Sequence, residues 1–355
     1  MVASDKHFRP QGGYARVKAV RLGPGNKGLE LAQLPNPEPG PGEVVLRPIY
    51  TGVCYRDVLT AEGFFPRAKP GVVLGHEIAG VVEAVGPGVK EFREGDRVAS
   101  LIYVPCLSCD RCAAGEENLC RNKRTYGEEL DGSYAERIKA HVNGLVKLPA
   151  KVSWEAATIA ACVTGMLVHA LKARGRLRRG EAVLVTGAGG GVGIHAVQLA
   201  RSYGARVIAV TSSPWKEEAI RRAGANEVIV AEQGRFSQRV KELTGGEGVD
   251  LVLEAVGRPT LEESLRALRW GGRIVQVGNV EPTPAQLGLG LLILRENAIL
   301  GSVGCTRAEL AAALSLHARG RVMPIVHATL PLEEAEKAHR ALKNKEAIGR
   351  VLLRP

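Results

Sequence analysis

The segment Thr186-Gly187-Ala188-Gly189-Gly190-Gly191-Val192-Gly193 narrows the possible folds more than any other stretch of the chain. It follows an apolar run at 182–186 and opens a helical pattern at 192–203. Glycines let a backbone approach a phosphate closely, and the following helix start offers free amides and a positive dipole end. Read strictly, its last part is A-x-G-x-x-G, with Ala188 in the first glycine position. A glycine motif alone is weak evidence. This one follows a strand, opens a helix and begins an alternating run, which is the context that gives it meaning. Strands are expected at 206–210, 227–230, 250–254 and 273–277, with helices at 216–223, 235–243 and 260–268 between them. Such alternation predicts an α/β fold with a doubly wound parallel sheet. Its dinucleotide site would use Gly187, Gly189, Gly190, Gly191, Val192 and Gly193, joined by Val256, Gly278 and Asn279.

Ahead of that run the pattern differs. From residue 17 to about 148, Gly-Pro pairs at 23–24, 40–41 and 86–87 separate short β-branched runs such as Val44-Val45-Leu46. Frequent short strands with this punctuation predict a small β-barrel. An Ala-rich helix at 155–171 leads into the α/β half. A strand at 298–303, a helix at 307–319 and a strand at 351–353 close the chain. Residues 1–16 are expected to form a surface extension. Their polar character lacks the apolar core of a signal peptide. No uninterrupted apolar run reaches the roughly 18 residues that span a bilayer. A cytoplasmic protein without a membrane partner is expected.

Six of the seven cysteines fall into two patterns. Cys106, Cys109, Cys112 and Cys120 are spaced C-x2-C-x2-C-x7-C, dense enough for a closed four-sulfur zinc site that holds a loop. In a non-secreted chain this spacing favours ligation over disulfides. Cys54 and Cys162 stand apart, with Gly75-His76-Glu77 between them in sequence. Two thiolates and one imidazole would leave a coordination position open for substrate or water. A lone buried cysteine usually belongs to a core, so the case for these three residues is joint. Cys54 ends an expected strand at 48–53, and Cys162 lies on the helix entering the dinucleotide half, where a cleft belongs. Cys305 receives no role.

The second strand of the alternating run ends in Thr211-Ser212-Ser213-Pro214-Trp215-Lys216, without a carboxylate before Glu217. An NAD site usually places Asp or Glu there, on the ribose hydroxyls. Small hydroxyl side chains and Lys216 suit a 2′-phosphate instead, so Thr211, Ser212, Ser213 and Lys216 point to NADP(H) over NAD(H). The net charge is 48 − 37 = +11. The basic residues are spread out and aromatics are only 4%, which argues against nucleic acid as a partner. The charge would still favour a polyphosphate ligand.

With Gly-His-Glu, the four-cysteine lobe, Asp131-Gly132-Ser133-Tyr134-Ala135-Glu136 and the glycine turn in this order, the chain resembles a zinc-containing medium-chain dehydrogenase/reductase, the alcohol dehydrogenase family. The resemblance runs from about residue 17 to 355. It implies a GroES-like β-barrel catalytic domain at 17–163, completed by 304–355, and a Rossmann domain at 164–303. It implies a catalytic zinc on Cys54, His76 and Cys162, with Glu77 able to enter its shell, besides one structural zinc. A homodimer or homotetramer is expected.

The chain departs from the family at Tyr55-Arg56-Asp57. Alcohol-oxidising members usually carry Ser or Thr two residues after the catalytic cysteine, where the hydroxyl passes on the substrate proton. Arg56 stays protonated and only donates. Leu59 stands where a relay histidine is common. Alcohol oxidation needs an outlet for the hydroxyl proton, so Tyr55 or water would have to serve. Arg56 could meet an anionic substrate or pair with a nearby carboxylate. The segments 52–57, 63–67 and 161–165 also resemble an archaeal subgroup that includes NADPH-dependent acryloyl-CoA reductases. The sequence alone leads first to a zinc-dependent NADP(H) oxidoreductase that interconverts an alcohol and a ketone or aldehyde. An enoyl-CoA reductase is the second reading and a non-catalytic binding protein the third.

Overall fold

The computed structural model describes residues 16–355. The expected extension therefore lies outside the described residues up to position 15, and Arg16 already belongs to the first strand, Arg16–Leu22.

Two main sheets organise the chain. One has six parallel strands, in the spatial order Glu227–Val230, Arg206–Thr211, Ala182–Val185, Val249–Glu254, Leu268–Gln276, Ala298–Gly301. In chain order this is 3-2-1-4-5-6, the doubly wound dinucleotide arrangement. Helices cover both faces, so the central strands are apolar on both sides. Val183, Leu184, Val185, Val207, Ile208, Leu251, Val252 and Leu253 are completely buried.

The other sheet is mostly antiparallel and has seven strands. Its centre is Glu43–Val53, which pairs with Glu77–Val85, with Ile138–His141 and with Arg350–Arg354. Pro48 is accommodated at a register shift, so one strand of 11 residues replaces the two shorter ones expected. The C-terminal strands Val326–Pro331 and Arg350–Arg354 belong to this sheet, not to the parallel one.

One continuous helix, Trp154–Arg174, joins the two halves. Ser153 caps it by accepting from the Ala156 amide at 3.2 Å. It is longer than the 155–171 read from sequence, and residues 160–165 and 169–174 are wound as π-helix. Its length and mean hydropathy of 1.5 would suit a bilayer, but 78% of its apolar window is buried within the protein. It is a core helix. Ala156, Ala157, Ala160 and Ala161 pack with Leu310 and Leu314 in the seam between the halves.

Candidate active site

The end of the strand Glu43–Val53 places Cys54 as the N-cap of the helix Tyr55–Ala61. Asp57, in the first turn, accepts from the Cys54 amide at 2.8 Å through Oδ2. Its Oδ1 lies 3.0 Å from Nδ1 of His76. A carboxylate only accepts, so Nδ1 keeps its proton, and Nε2 is the nitrogen that faces the sulfurs and would bind a metal on giving up its own proton. Cys162 enters from the π-wound turn of the long helix, and such turns recur at functional sites. Its sulfur lies 3.4 Å from His76 Nε2 and 4.0 Å from Cys54 Sγ.

These separations fit zinc. Zn–S near 2.3 Å and Zn–N near 2.05 Å in a tetrahedron require edges of about 3.8 Å for S···S and about 3.6 Å for S···N. A disulfide would bring the sulfurs to about 2.05 Å, and all seven cysteines are free. The Cys162 thiol holds Cys54 well below the ordinary thiol range, helped by Arg350 and His76, while the same contact pushes Cys162 up. Burial opposes a charge on His76, but Asp57 and Cys54 outweigh it and raise its pKa to about 9.

Glu77 is completely buried and offers a carboxylate oxygen to the same cluster, whose ligand atoms lie within 4.8 Å of one another. It is also held by Arg350, which donates from Nε at 3.0 Å and from Nη2 to the other oxygen. Arg350 has a second neighbour. A Cβ on Gly191 would come within 2.7 Å of its Nη1. The same guanidinium therefore touches the Glu77 carboxylate and the glycine turn. Nothing local in the sequence marks Arg350 for this position.

The glycine turn connects the strand Ala182–Val185 to the helix Gly193–Ser202. A side chain at Gly193 would reach within 2.6 Å of Ala188 Cα, so only glycine permits this winding. His195 donates from Nδ1 to the Gly191 carbonyl at 2.7 Å and accepts from the Ile325 amide at Nε2, at 3.0 Å. Val256 lies against Gly187, and Gly278 and Asn279 close over residues 255–257. Buried Glu254 shapes that loop by accepting from Thr186, Thr260, Ser264 and the amides of Val256 and Gly257. Together these residues line the carboxyl ends of the central strands, where an open parallel sheet binds dinucleotides.

At the end of the second strand, Thr211 is buried, Ser212 is exposed and Ser213 is half-buried. Lys216 is buried against Gly189 and donates to the Ala347 carbonyl at 2.7 Å. Burial, with Lys345 nearby, lowers its pKa to about 8.

Arg56 does not stand free. It is ion-paired with Glu128, which is 1% exposed, and its guanidinium lies 5.2 Å from the centre of the Phe65 ring. Of the two roles open to it from sequence, pairing within the chain is the one observed. Tyr55 is partly exposed, and its phenol is pushed up by burial and by Glu62. Leu59 is buried.

The four-cysteine lobe is assembled as spaced. Cys106 and Cys120 are 3.5 Å apart, Cys109 and Cys112 3.6 Å, and Cys109 and Cys120 3.9 Å. These are again tetrahedral zinc edges. Asn118 of the lobe donates to the Val303 carbonyl at 3.1 Å and lies 3.2 Å from His169 Nε2, while His169 Nδ1 meets Glu309 at 2.9 Å. The lobe is thereby latched onto the long helix and the helix Arg307–Ala318.

Sequence comparisons agree with this geometry. The signature described as an alcohol dehydrogenase GroES-like domain matches residues 40–150, and that of a zinc-binding dehydrogenase matches 191–319. An acryloyl-coenzyme A reductase of Metallosphaera sedula is 46% identical over 95% of this chain and 99% of its own. An alcohol dehydrogenase of Geobacillus stearothermophilus is 34% identical over 95% and 99%. The crystal structure of AibC superposes with a TM-score of 0.90 and 44% identity over 99% of each chain. A chain that carries both signatures, the thiolate–imidazole cluster and the glycine turn belongs to the zinc-containing medium-chain dehydrogenase/reductases, and is an oxidoreductase of that family.

Proposed function

We propose that the protein is an NADPH-dependent reductase of an enoyl thioester of the acryloyl-coenzyme A type. This replaces the alcohol–carbonyl reading that the ligand set first suggested. The observation that carries it is the Arg56–Glu128 pair. It fills the position where an alcohol dehydrogenase needs a hydroxyl to pass on the substrate proton. The 46% likeness to an acryloyl-coenzyme A reductase, against 34% to an alcohol dehydrogenase, supports the same choice. So does the charge of +11, which suits a substrate bearing several phosphates.

The chemistry supplied by the bound groups is hydride from a nicotinamide and Lewis-acid polarisation of a carbonyl oxygen by zinc. The residues assigned to zinc are Cys54, His76 and Cys162, with Glu77 in reserve, and a second zinc is assigned to Cys106, Cys109, Cys112 and Cys120. Asp57 fixes the His76 tautomer. Arg350 neutralises Glu77 and lies beneath the glycine turn with Nη1 toward Gly191, leaving that N–H group free to donate toward a pyrophosphate. Ser212 and Ser213, with no carboxylate beside them, favour a 2′-phosphate. Lys216 supports that site through its charge and through the turn at Ala347. Reduction places hydride on the β-carbon of the enoyl group and a proton on its α-carbon. We assign that proton to Tyr55, next to Cys54 and protonated at neutral pH.

A homo-oligomer is also inferred. The edge strand Ala298–Gly301 and the exposed Leu289, Ile293 and Leu294 beside it are suited to burial against a second copy. The reductase reading is tested by purifying the chain and comparing Tyr55→Phe with wild type on acryloyl-CoA and NADPH. A fall in kcat of at least about tenfold is expected for loss of a general acid. No turnover by the wild-type enzyme would refute the reading.

A further inference from the structure

A buried hydrogen-bond chain continues beyond Asp57, away from the cluster. Tyr134 Oη lies 3.3 Å from Asp57 Oδ2, and His339 Nε2 lies 3.3 Å from Tyr134 Oη. Both side chains are buried, Tyr134 completely. Their rings meet edge to face with centroids 6.1 Å apart. The carboxylate can only accept, so Tyr134 donates to it. The phenol oxygen then accepts, and His339 donates from Nε2. Burial and the Asp57 charge keep the proton on Tyr134, and burial keeps His339 neutral. Every proton in the chain thus has one direction: His339 to Tyr134, Tyr134 to Asp57, and His76 Nδ1 to Asp57 from the other side.

The backbone fixes where this chain ends. The Tyr134 amide donates to Leu74 O at 2.8 Å, and the Ser133 amide to Gly75 O at 3.0 Å. The segment carrying Tyr134 is therefore zipped onto the residues just before His76. A Cβ at Gly75 would stand 2.9 Å from the Tyr134 ring at Cε1, so the ring lies directly on that backbone. His339 comes from the helix Ala335–Lys343, in the C-terminal part of the chain. Asp57 Oδ2 meanwhile also accepts from the Cys54 amide. A carboxylate free to rotate would release both the His76 ring and the Cys54 turn. With Oδ2 held by two donors and Oδ1 by one, it cannot.

We propose that Tyr134 and His339 are positioning residues for the Cys54–His76–Cys162 centre, clamping Asp57 so that His76 and Cys54 are held ready for metal. The proposal rests on the zinc reading of that cluster and is independent of the substrate. Groups that orient a ligating histidine typically carry about 10–100-fold in metal affinity.

The test is zinc release from the intact holoprotein into a chromogenic chelator, with zinc counted per chain. The four-cysteine lobe is the internal reference, and Cys54→Ser identifies which release phase belongs to which site. Tyr134→Phe keeps the packed ring and removes only the hydroxyl. It should speed release from the Cys54 site by about tenfold or more and leave the lobe's phase unchanged. His339→Leu should act in the same direction. His339→Gln, whose amide can donate to Tyr134, should restore slow release. Two zincs per chain with unaltered release in Tyr134→Phe would overturn the proposal alone. So would equal acceleration at both sites, which would mark a general loosening. One zinc per wild-type chain would overturn the zinc reading and the proposal together.

Discussion

Replacing His195 by asparagine isolates one buried titration beside the glycine turn. His195 is fully buried, donates from Nδ1 to Gly191 O and accepts from the Ile325 amide at Nε2. Protonating Nε2 would set two N–H groups against each other, so the folded protein holds the neutral ring. Burial is the main cause of its pKa of about 4, against 6.5 for the free side chain. The folded value is depressed, so below pH 6.5 the unfolded chain binds the proton and the folded one does not. Stability is complete above about pH 6.5 and is lost as pH falls toward 4. A shift of about 2.5 units corresponds to about 3.4 kcal/mol over the whole window and about 2 kcal/mol between pH 7 and pH 5. His317 is arranged alike, with Nδ1 donating to Val322 O, Thr164 Oγ1 at 2.9 Å from Nε2, and a pKa of about 4. The assay is urea unfolding at pH 7 and pH 5 for wild type, His195→Asn and His195→Asn/His317→Asn. Acid loss of metal is common to all three and cancels in the comparison. Asparagine can still donate to Gly191 but does not titrate. Each substitution should lower stability at pH 7 and flatten the pH dependence by about 2 kcal/mol. Equal pH dependence in wild type and His195→Asn would refute the reasoning.

Arg56→Ala leaves Glu128 buried with its close ion-pair partner removed. A loss of about 2–3 kcal/mol is expected, at or below the low end for a broken buried pair because Arg56 keeps some exposure. Arg56→Ala/Glu128→Gln should recover most of it in denaturant titration. Ser212→Asp puts a carboxylate where a 2′-phosphate would lie, and should lower the NADPH-over-NADH ratio of kcat/KM by at least about tenfold. An unchanged ratio would argue against that site. Cys112→Ala should remove one zinc per chain and free the lobe that latches Asn118 to His169. Loss of those hydrogen bonds costs about 2 kcal/mol, or roughly 3 °C in melting temperature for a chain of this length, measurable by calorimetry.

What was legible in the sequence was what local chemistry marks. The glycine turn is bounded by apolar runs, and its strand–helix alternation gives the parallel sheet. The spacing of Cys106, Cys109, Cys112 and Cys120 is itself a zinc-site pattern. Cys54, His76 and Cys162 could be joined only through a family resemblance, because 86 residues separate His76 from Cys162. Asp57 carried a readable signal, since an acidic residue three after Cys54 completes a capping box. Arg350 and His339 carried none that tied them to the site, because their role comes from the C-terminal strand and helix folding back onto the first half, and Tyr134 stood out only as part of 131–136, its place beside Asp57 coming from that segment's pairing with Leu74 and Gly75. The helix Ala335–Lys343 is strongly amphipathic and was open to detection by its period. Lys216 shows the opposite limit. Its type and place were right for a phosphate, but the sequence could not reveal that Ala347 takes one of its protons.

The most direct test of the central claim is steady-state reduction with NADPH of acryloyl-CoA beside a panel of ketones and aldehydes, using wild-type protein of measured zinc content. The account predicts efficient turnover of the enoyl thioester, with carbonyl reduction and alcohol oxidation slower by orders of magnitude. Efficient alcohol oxidation or ketone reduction, with no reduction of the thioester, would contradict it.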